Sequence, residues 1–380
     1  MKATFQFPTR ILFGQKVIED LPDELKSLHG WSALVVTDKG LVKAGIVSRV
    51  VEVIKTAGMK AEVFDEVSAN PTGEQVEAGA LAFKAARADC IVGLGGGSSM
   101  DAAKAIQLRI HHHEPLRVYD DLLGGDCKIT GSLPPLAAVP TTSGTGSEVS
   151  RSAVVTLRDV GRKVVIFSPR LMPHVAVCDP ELTYGLPGRI TAETGMDAFS
   201  HSLEALVSKG YHPMADGIAL RGIRMVAKNL PIAVTEPKNA KARQEMMMAS
   251  TMGAVAFQKG LGVIHSLAHA LGAVVGVSHG LANALIMPHA IRFNAKAAPG
   301  PLADVAAALG VTGKQNGDSA AEAVEALLKR IGLIDGLAQA GVTEEHVPSI
   351  VEKAMEDGCH TQNPRPVTPQ DMEAILRATM

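Results

Sequence analysis

The sequence predicts two domains of different class: an α/β N-terminal domain, Rossmann-like with a mostly parallel sheet, followed by an all-α C-terminal domain. Three observations carry that prediction. Short apolar runs alternate with segments of helical spacing through the first half. After Leu186-Pro187-Gly188 the β-branched runs largely disappear and Ala, Met, Leu and Glu take over. The chain of 380 residues is also long for one domain, since single cores stop growing near roughly 250–300 residues. We place the domains at 1–185 and 186–380.

Taken in order, residues 33–37, 61–64, 90–94 and 136–139 are apolar runs of the length expected for buried strands. Between them, 47–57 and 74–86 repeat apolar residues at helical spacing, and 102–110 reads as the helix that follows the third strand. Two further β-rich runs, 163–167 and 174–178, precede the change of pattern. From Ile190 onward we expect helices, with Gly and Pro breaks near 230–237, 260–262 and 299–301.

Composition excludes several function classes. Lys plus Arg (37) nearly cancels Asp plus Glu (39), so no charge excess points to nucleic acid or a membrane surface. No run of about 18 apolar residues is present to span a bilayer. Cys90, Cys127, Cys178 and Cys359 lie far apart without a C-x-x-C pair, which argues against a disulfide framework or zinc ribbon and fits a reducing compartment. The first fourteen residues lack the basic start and apolar centre of a signal peptide. We therefore expect a cytoplasmic protein with a small-molecule partner, assembled as a homo-oligomer, dimer or larger.

The sharpest signal in the first half is Gly93-Leu94-Gly95-Gly96-Gly97-Ser98-Ser99-Met100-Asp101, which follows a strand and opens a helix. Glycines let backbone approach a ligand, and the amides and dipole of a helix N-terminus favour a phosphate. A Gly-rich strand–helix turn can also be purely structural, and the final position here is Ser98 rather than Gly. Ser98 with Asp101 three residues later resembles a capping box. Asp38, at the end of its strand, can accept hydrogen bonds from an adenine ribose; read alone, it is better explained as a turn or cap residue. The run 140–148, Pro-Thr-Thr-Ser-Gly-Thr-Gly-Ser-Glu, packs hydroxyls and glycines directly after a strand, where ligand loops belong.

The second half carries candidate metal ligands. Asp197 and His201 are spaced i, i+4 on a predicted helix and so share one face. His265, His269 and His279 fall within fifteen residues. One such histidine would more often be a core or surface residue. Together with the Asp/His pair they resemble a carboxylate-and-imidazole site for a divalent transition metal. One unbroken helix would separate His265 from His279 by roughly 21 Å, so both reach one ion only if the chain turns, for which Gly272, Gly276 and Ser278 offer places. His111-His112-His113, before Pro115 and without a carboxylate at helical spacing, reads as a solvated turn.

These motifs, in this order, resemble the iron-containing (group III) alcohol dehydrogenase family along essentially the whole chain. The matching pieces are Gly95-Gly96-Gly97-Ser98 with Asp101 and Lys104, the 140–148 loop, Gly195-Met196-Asp197-Ala198 to His201, the 265–279 segment, and Asn363-Pro364-Arg365. The resemblance implies a metal-dependent oxidoreductase moving a hydride between a small primary or secondary alcohol, or a diol, and NAD(H). It implies Asp197, His201, His265 and His279 as metal ligands, with His269 beside the nicotinamide as a proton relay. It implies Gly95, Gly96, Gly97 and Ser98 on the pyrophosphate. Asp38, Asn70, Thr141, Thr142, Thr145, Ser147 and Lys163 would line the rest of the cofactor cleft, and Phe257 and Cys359 the substrate cavity. The segment 257–262 is one residue shorter than the commoner family spacing, a departure on the substrate side. Three imidazoles and a carboxylate suit Fe²⁺ and Zn²⁺ alike, and the resemblance alone favours Fe²⁺. Asp38 favours NAD over NADP. Two alternatives are a dehydroquinate-synthase-like cyclase of the same fold, which needs basic residues for a phosphorylated substrate, and a non-catalytic nucleotide-binding protein.

Overall fold

The computed structural model describes residues 5–7, 9–334 and 336–380. The N-terminal reading at 1–4 and 8 lies outside the described residues. The chain divides into two compact units: one of Phe7–Thr142 with Gly146–Gly185, the other of Leu186–Met380 with residues 5–6 and Ser143–Thr145.

The first unit is built on a six-stranded parallel sheet in the order β1 (Arg10–Phe13), β8 (Val175–Cys178), β5 (Leu136–Pro140), β4 (Cys90–Gly95), β2 (Ser32–Val36), β3 (Lys60–Phe64). Its strands read as continuous apolar runs because both faces are covered. In β2, Leu34 and Val36 enter one core with Ile91, while Ala33 and Val35 enter the opposite core with Cys90 and Val92. The helices Ile46–Thr56, Gly73–Ala85 and Gly97–His111 connect successive strands. Two strands were not anticipated. One is the four-residue edge strand β1. The other is β6 (Ser152–Leu157), which pairs antiparallel with β7 (Arg162–Phe167) outside the main sheet. β6 alternates buried and partly exposed residues, so it lacks the continuous apolar run that marks the central strands.

The second unit contains no strand among the described residues. Its main helices are Gly188–Val207, Pro213–Thr235, Ala240–Ala256, Val263–Val274 and His279–Asn294, around a core that includes Phe199, Leu203, Ile223, Leu230, Leu267 and Ile286. The breaks expected near 230–237 and 299–301 both fall at helix boundaries. Pro231 lies inside Pro213–Thr235, which ends only beyond it, and Pro299 opens the helix Pro299–Ala308 as a first-turn residue, where its missing N–H costs nothing. The 260–262 break stands between helices, with Gly260 at φ +138°. None of the described helices is long and apolar enough to cross a membrane.

Two local readings are corrected. The helix after β4 starts at Gly97 with Gly96 as its N-cap and no side-chain cap. Ser98 donates instead to the Ala69 carbonyl and Asp101 accepts from Ser147, so no capping box forms. Within His111–His113 only the outer two are exposed; the ring of His112 is buried and accepts from the Thr130 N–H.

Candidate functional site

In the helical unit the metal-ligand candidates converge. The helix Gly188–Val207 carries Asp197 and His201 one turn apart, both buried in its core-facing stripe. His265 sits in the first turn of Val263–Val274. The chain then turns through residues 275–278, with Gly276 in the left-handed region at φ +80°, and His279 begins the next helix. One ligand atom from each of Asp197, His201, His265 and His279 lies within 4.8 Å of the others. From Asp197 Oδ1 the distances are 3.3 Å to His279 Nε2, 3.8 Å to His201 Nε2 and 4.0 Å to His265 Nε2. His279 is the partly exposed member, which leaves one side of the cluster accessible.

The donor set fits a divalent transition metal. His265 Nε2 is buried without a hydrogen-bond partner among the described residues, a costly state for a polar atom unless a ligand satisfies it. Asn283, one turn after His279, donates to Asp197 Oδ1 at 2.8 Å and steadies that carboxylate. Burial alone would raise the Asp197 carboxyl, but the imidazoles of His201, His279 and His265 outweigh it and hold the group well below the usual carboxylate range. Burial pushes His201 down to about 4 and His265 well below its ordinary value, so both rings present lone pairs at neutral pH.

His269 lies one turn beyond His265 but belongs to a second group with Asp357 and Cys359. Its Nδ1 is 2.8 Å from Asp357 Oδ2, while Asp357 Oδ1 accepts from the Ser266 hydroxyl and the Cys359 N–H. Its ring stacks on His279 at 5.2 Å between centroids. Burial opposes charge on Asp357, yet hydrogen bonds from His269 and Cys359 keep its carboxyl low. Burial and the adjacent Asp357 push the Cys359 thiol well up. The Phe257 ring packs 4.9 Å from His201.

Sequence reasoning missed Glu204 and Asp357. Glu204 extends the Asp197/His201 stripe at i+7, a signal present in the sequence; buried, it accepts from Gly262 and Ile264 N–H and contacts His265 Nδ1 at 2.6 Å. Burial raises its carboxyl to about 7 against those hydrogen bonds. Asp357 had no comparable spacing signal, since its partners Ser266 and His269 lie about ninety residues away.

In the sheet unit, Asp38, Gly95–Ser98 and Thr141–Thr142 all leave the carboxyl ends of three adjacent strands, β2, β4 and β5, the end at which open α/β sheets bind ligands. Gly95 has φ +150°, and a Cβ there would meet Ser99 Oγ at 2.5 Å, so the loop tolerates only glycine. Gly96 faces Thr142, whose Cγ2 would be 3.4 Å from an added Cβ. Asp38 Oδ1 caps a short helix by accepting from Gly40 and Leu41 N–H, the alternative weighed for it above. Asn70 is exposed in the 68–71 loop. Ser147 is buried: it donates to Asp101 and accepts from the wholly buried Lys104. Lys163, on β7, is partly buried and its pKa is lowered by that burial. Thr145, partly buried, groups with the helical unit.

Two family models match the chain: iron-containing alcohol dehydrogenase over residues 8–180, and the C-terminal region of the Fe-containing alcohol dehydrogenase family over 191–380. The chain is 43% identical to a 4-hydroxybutyrate dehydrogenase of Cupriavidus necator, covering 91% of this chain and 92% of that protein. It is 38% identical to a 1,3-propanediol dehydrogenase of Klebsiella pneumoniae, with 97% of each covered. A crystal structure of a 1,3-propanediol oxidoreductase superposes over 100% of both chains with a TM-score of 0.95 at 38% identity.

Proposed function

The chain belongs to the iron-containing alcohol dehydrogenase family, and we propose that it transfers a hydride between a small primary or secondary alcohol, or a diol, and NAD, yielding the carbonyl compound and NADH. The observation that carries this reading is the convergence of Asp197, His201, His265 and His279, with the unpartnered His265 Nε2 among them. Those four side chains would hold Fe²⁺, with Zn²⁺ as the ion the same donors also suit. When bound, such an ion supplies Lewis-acid polarisation of the alcohol oxygen and so lowers its pKa.

The remaining work falls to the chain itself. Asp197 supplies the single negative charge of the set, and Asn283 holds its oxygen in place. His269 stands outside the ligand set. With Nδ1–H directed at Asp357, its Nε2 is the atom free to take the hydroxyl proton, a general-base role. Phe257 and Cys359 border the substrate, and the raised thiol pKa keeps Cys359 a neutral contact. The amides of Gly95 to Ser98 bind the pyrophosphate, while Asn70, Thr141, Thr142, Thr145 and Lys163 line the nucleotide. Ser147 acts by fixing its loop through Lys104 and Asp101. Asp38 repels a 2′-phosphate and so selects NAD. The relatives' names, 4-hydroxybutyrate and 1,3-propanediol, share a terminal hydroxyl on a short chain, and their dehydrogenase chemistry supports alcohol oxidation over the cyclase alternative.

The test is a panel of short primary alcohols, secondary alcohols and diols offered to the purified protein with NAD⁺, following NADH absorbance while metal content is measured on the same sample. Turnover on at least one class is expected. Tight NADH binding with no turnover on any of them would instead mark a nucleotide-binding protein without this activity.

A further inference from the structure

We propose that Glu204 is a positioning residue for the metal: its carboxylate accepts the Nδ1 proton of His265 and fixes that ring with Nε2 turned into the ligand cluster. The inference rests on the four-ligand reading above. It adds a residue that touches neither the ion nor the substrate.

The geometry is specific. Glu204 Oε2 lies 2.6 Å from His265 Nδ1, and both side chains are buried. The same carboxylate accepts from Gly262 N–H at 2.9 Å and Ile264 N–H at 2.7 Å, at the start of the helix that carries His265. Glu204 thus caps that helix from a neighbouring one, where amides and dipole favour a negative charge against the burial that raises its carboxyl to about 7. The loop closes tightly on it: a Cβ on Gly262 would meet Glu204 Oε1 and Asn363 Oδ1, each at 2.9 Å. A neutral imidazole has one N–H. With that hydrogen committed to Glu204, Nε2 keeps its lone pair, and it is this atom that lies buried and unpartnered 4.0 Å from Asp197 Oδ1. Asp197, His201 and Glu204 occupy positions i, i+4 and i+7 of one helix, so a single stripe supplies two ligands and aims a third.

A residue that only capped the helix would affect stability and leave metal affinity alone. Glu204→Gln separates the two roles. Glutamine keeps the volume and one oxygen for the backbone N–H groups, but its amide would donate toward Nδ1 and push the His265 proton onto Nε2, where it blocks the lone pair. We would measure Zn²⁺ affinity by chelator competition, and the visible spectrum of the Co²⁺ form, for wild type, Glu204→Gln and His279→Ala, with circular dichroism reporting folding. Expected is a folded Glu204→Gln protein that binds Zn²⁺ about 10–100-fold more weakly than wild type, with an altered Co²⁺ spectrum. Unchanged affinity and spectrum in Glu204→Gln, with His279→Ala impaired, would overturn the positioning role and leave the metal site standing. Wild type and His279→Ala binding equally poorly would instead remove the metal site and this inference with it. If Glu204→Gln does not fold, long-range ¹H–¹⁵N correlation of histidine-labelled wild-type zinc protein decides: a proton on His265 Nδ1 with metal on Nε2 supports the proposal, and the reverse tautomer contradicts it.

Discussion

His269 and His279 stack face to face, yet the carboxylate of Asp197 lies 3.3 Å from His279, whereas His269 hydrogen-bonds to Asp357. Sequence spacing alone pairs His265 with His269, one helical turn apart; the turn at Gly276 replaces that pairing with His265 and His279. His279→Ala is therefore expected to lose metal per chain under dialysis that leaves wild type loaded. His269→Ala should keep its metal and lose kcat by roughly 10²–10⁴-fold, or less if solvent substitutes. The opposite pattern of metal retention would reverse the assignment. At Asp38 the cap and the proposed ribose contact use one carboxylate. Glycine is tolerated at an N-cap at a cost of only a few tenths of a kcal/mol, so Asp38→Gly should fold normally while narrowing the NAD-over-NADP ratio of kcat/KM. An unmodified enzyme that prefers NADP would show that Asp38 does not select the cofactor. The cluster was legible because its residues are chemically rare in an apolar helical setting. Asp357 was not, because only the fold brings it to His269.

At the scale of elements, the cluster of Asp197, His201, His265 and His279 depends on how closely the helices that carry it approach. A Cβ on Gly280 would lie 2.2 Å from the Glu193 carbonyl oxygen, and Ser278 donates to the Glu193 carboxylate at 2.7 Å beside it. Gly280→Ala must therefore push the helix His279–Asn294 away from Gly188–Val207, although alanine has the higher helix propensity. The expected outcome is a folded protein with reduced metal occupancy, measured by elemental analysis; full occupancy would mean that the approach is not needed. The same scale explains what the sequence conveyed of the fold. Runs such as 33–37 and 90–94 are apolar throughout because both faces of β2 and β4 are covered, so period and length identify them. β1 has four residues at the sheet edge, and β6 shows one face to partial exposure, so neither stands out from its flanks. In the break expected near 230–237, Pro213–Thr235 runs through Pro231 and ends at Thr235, before Pro237.

For the molecule as a whole, the buried imidazoles link stability to pH. His201 falls from 6.5 to about 4 on folding because burial disfavours its charge, and His265 falls further. A group with a depressed folded pKa gives stability that is present above the unfolded value and lost as pH falls through the folded one. The two rings should therefore destabilise the metal-free protein as pH drops from about 6.5 to about 4, offset in part by Glu204, whose raised carboxyl takes up its proton in the same window, and a melting temperature that rises as pH falls would contradict the burial of neutral rings. On the proposed function, oxidation of an alcohol by NAD depends on one ion held by Asp197, His201, His265 and His279. The most direct measurement is turnover of chelator-dialysed protein, verified metal-free, as Fe²⁺ or Zn²⁺ is added back in measured amounts. No turnover is expected at the start and full restoration at one ion per chain; full activity in the metal-free protein would show that the reaction needs no such ion.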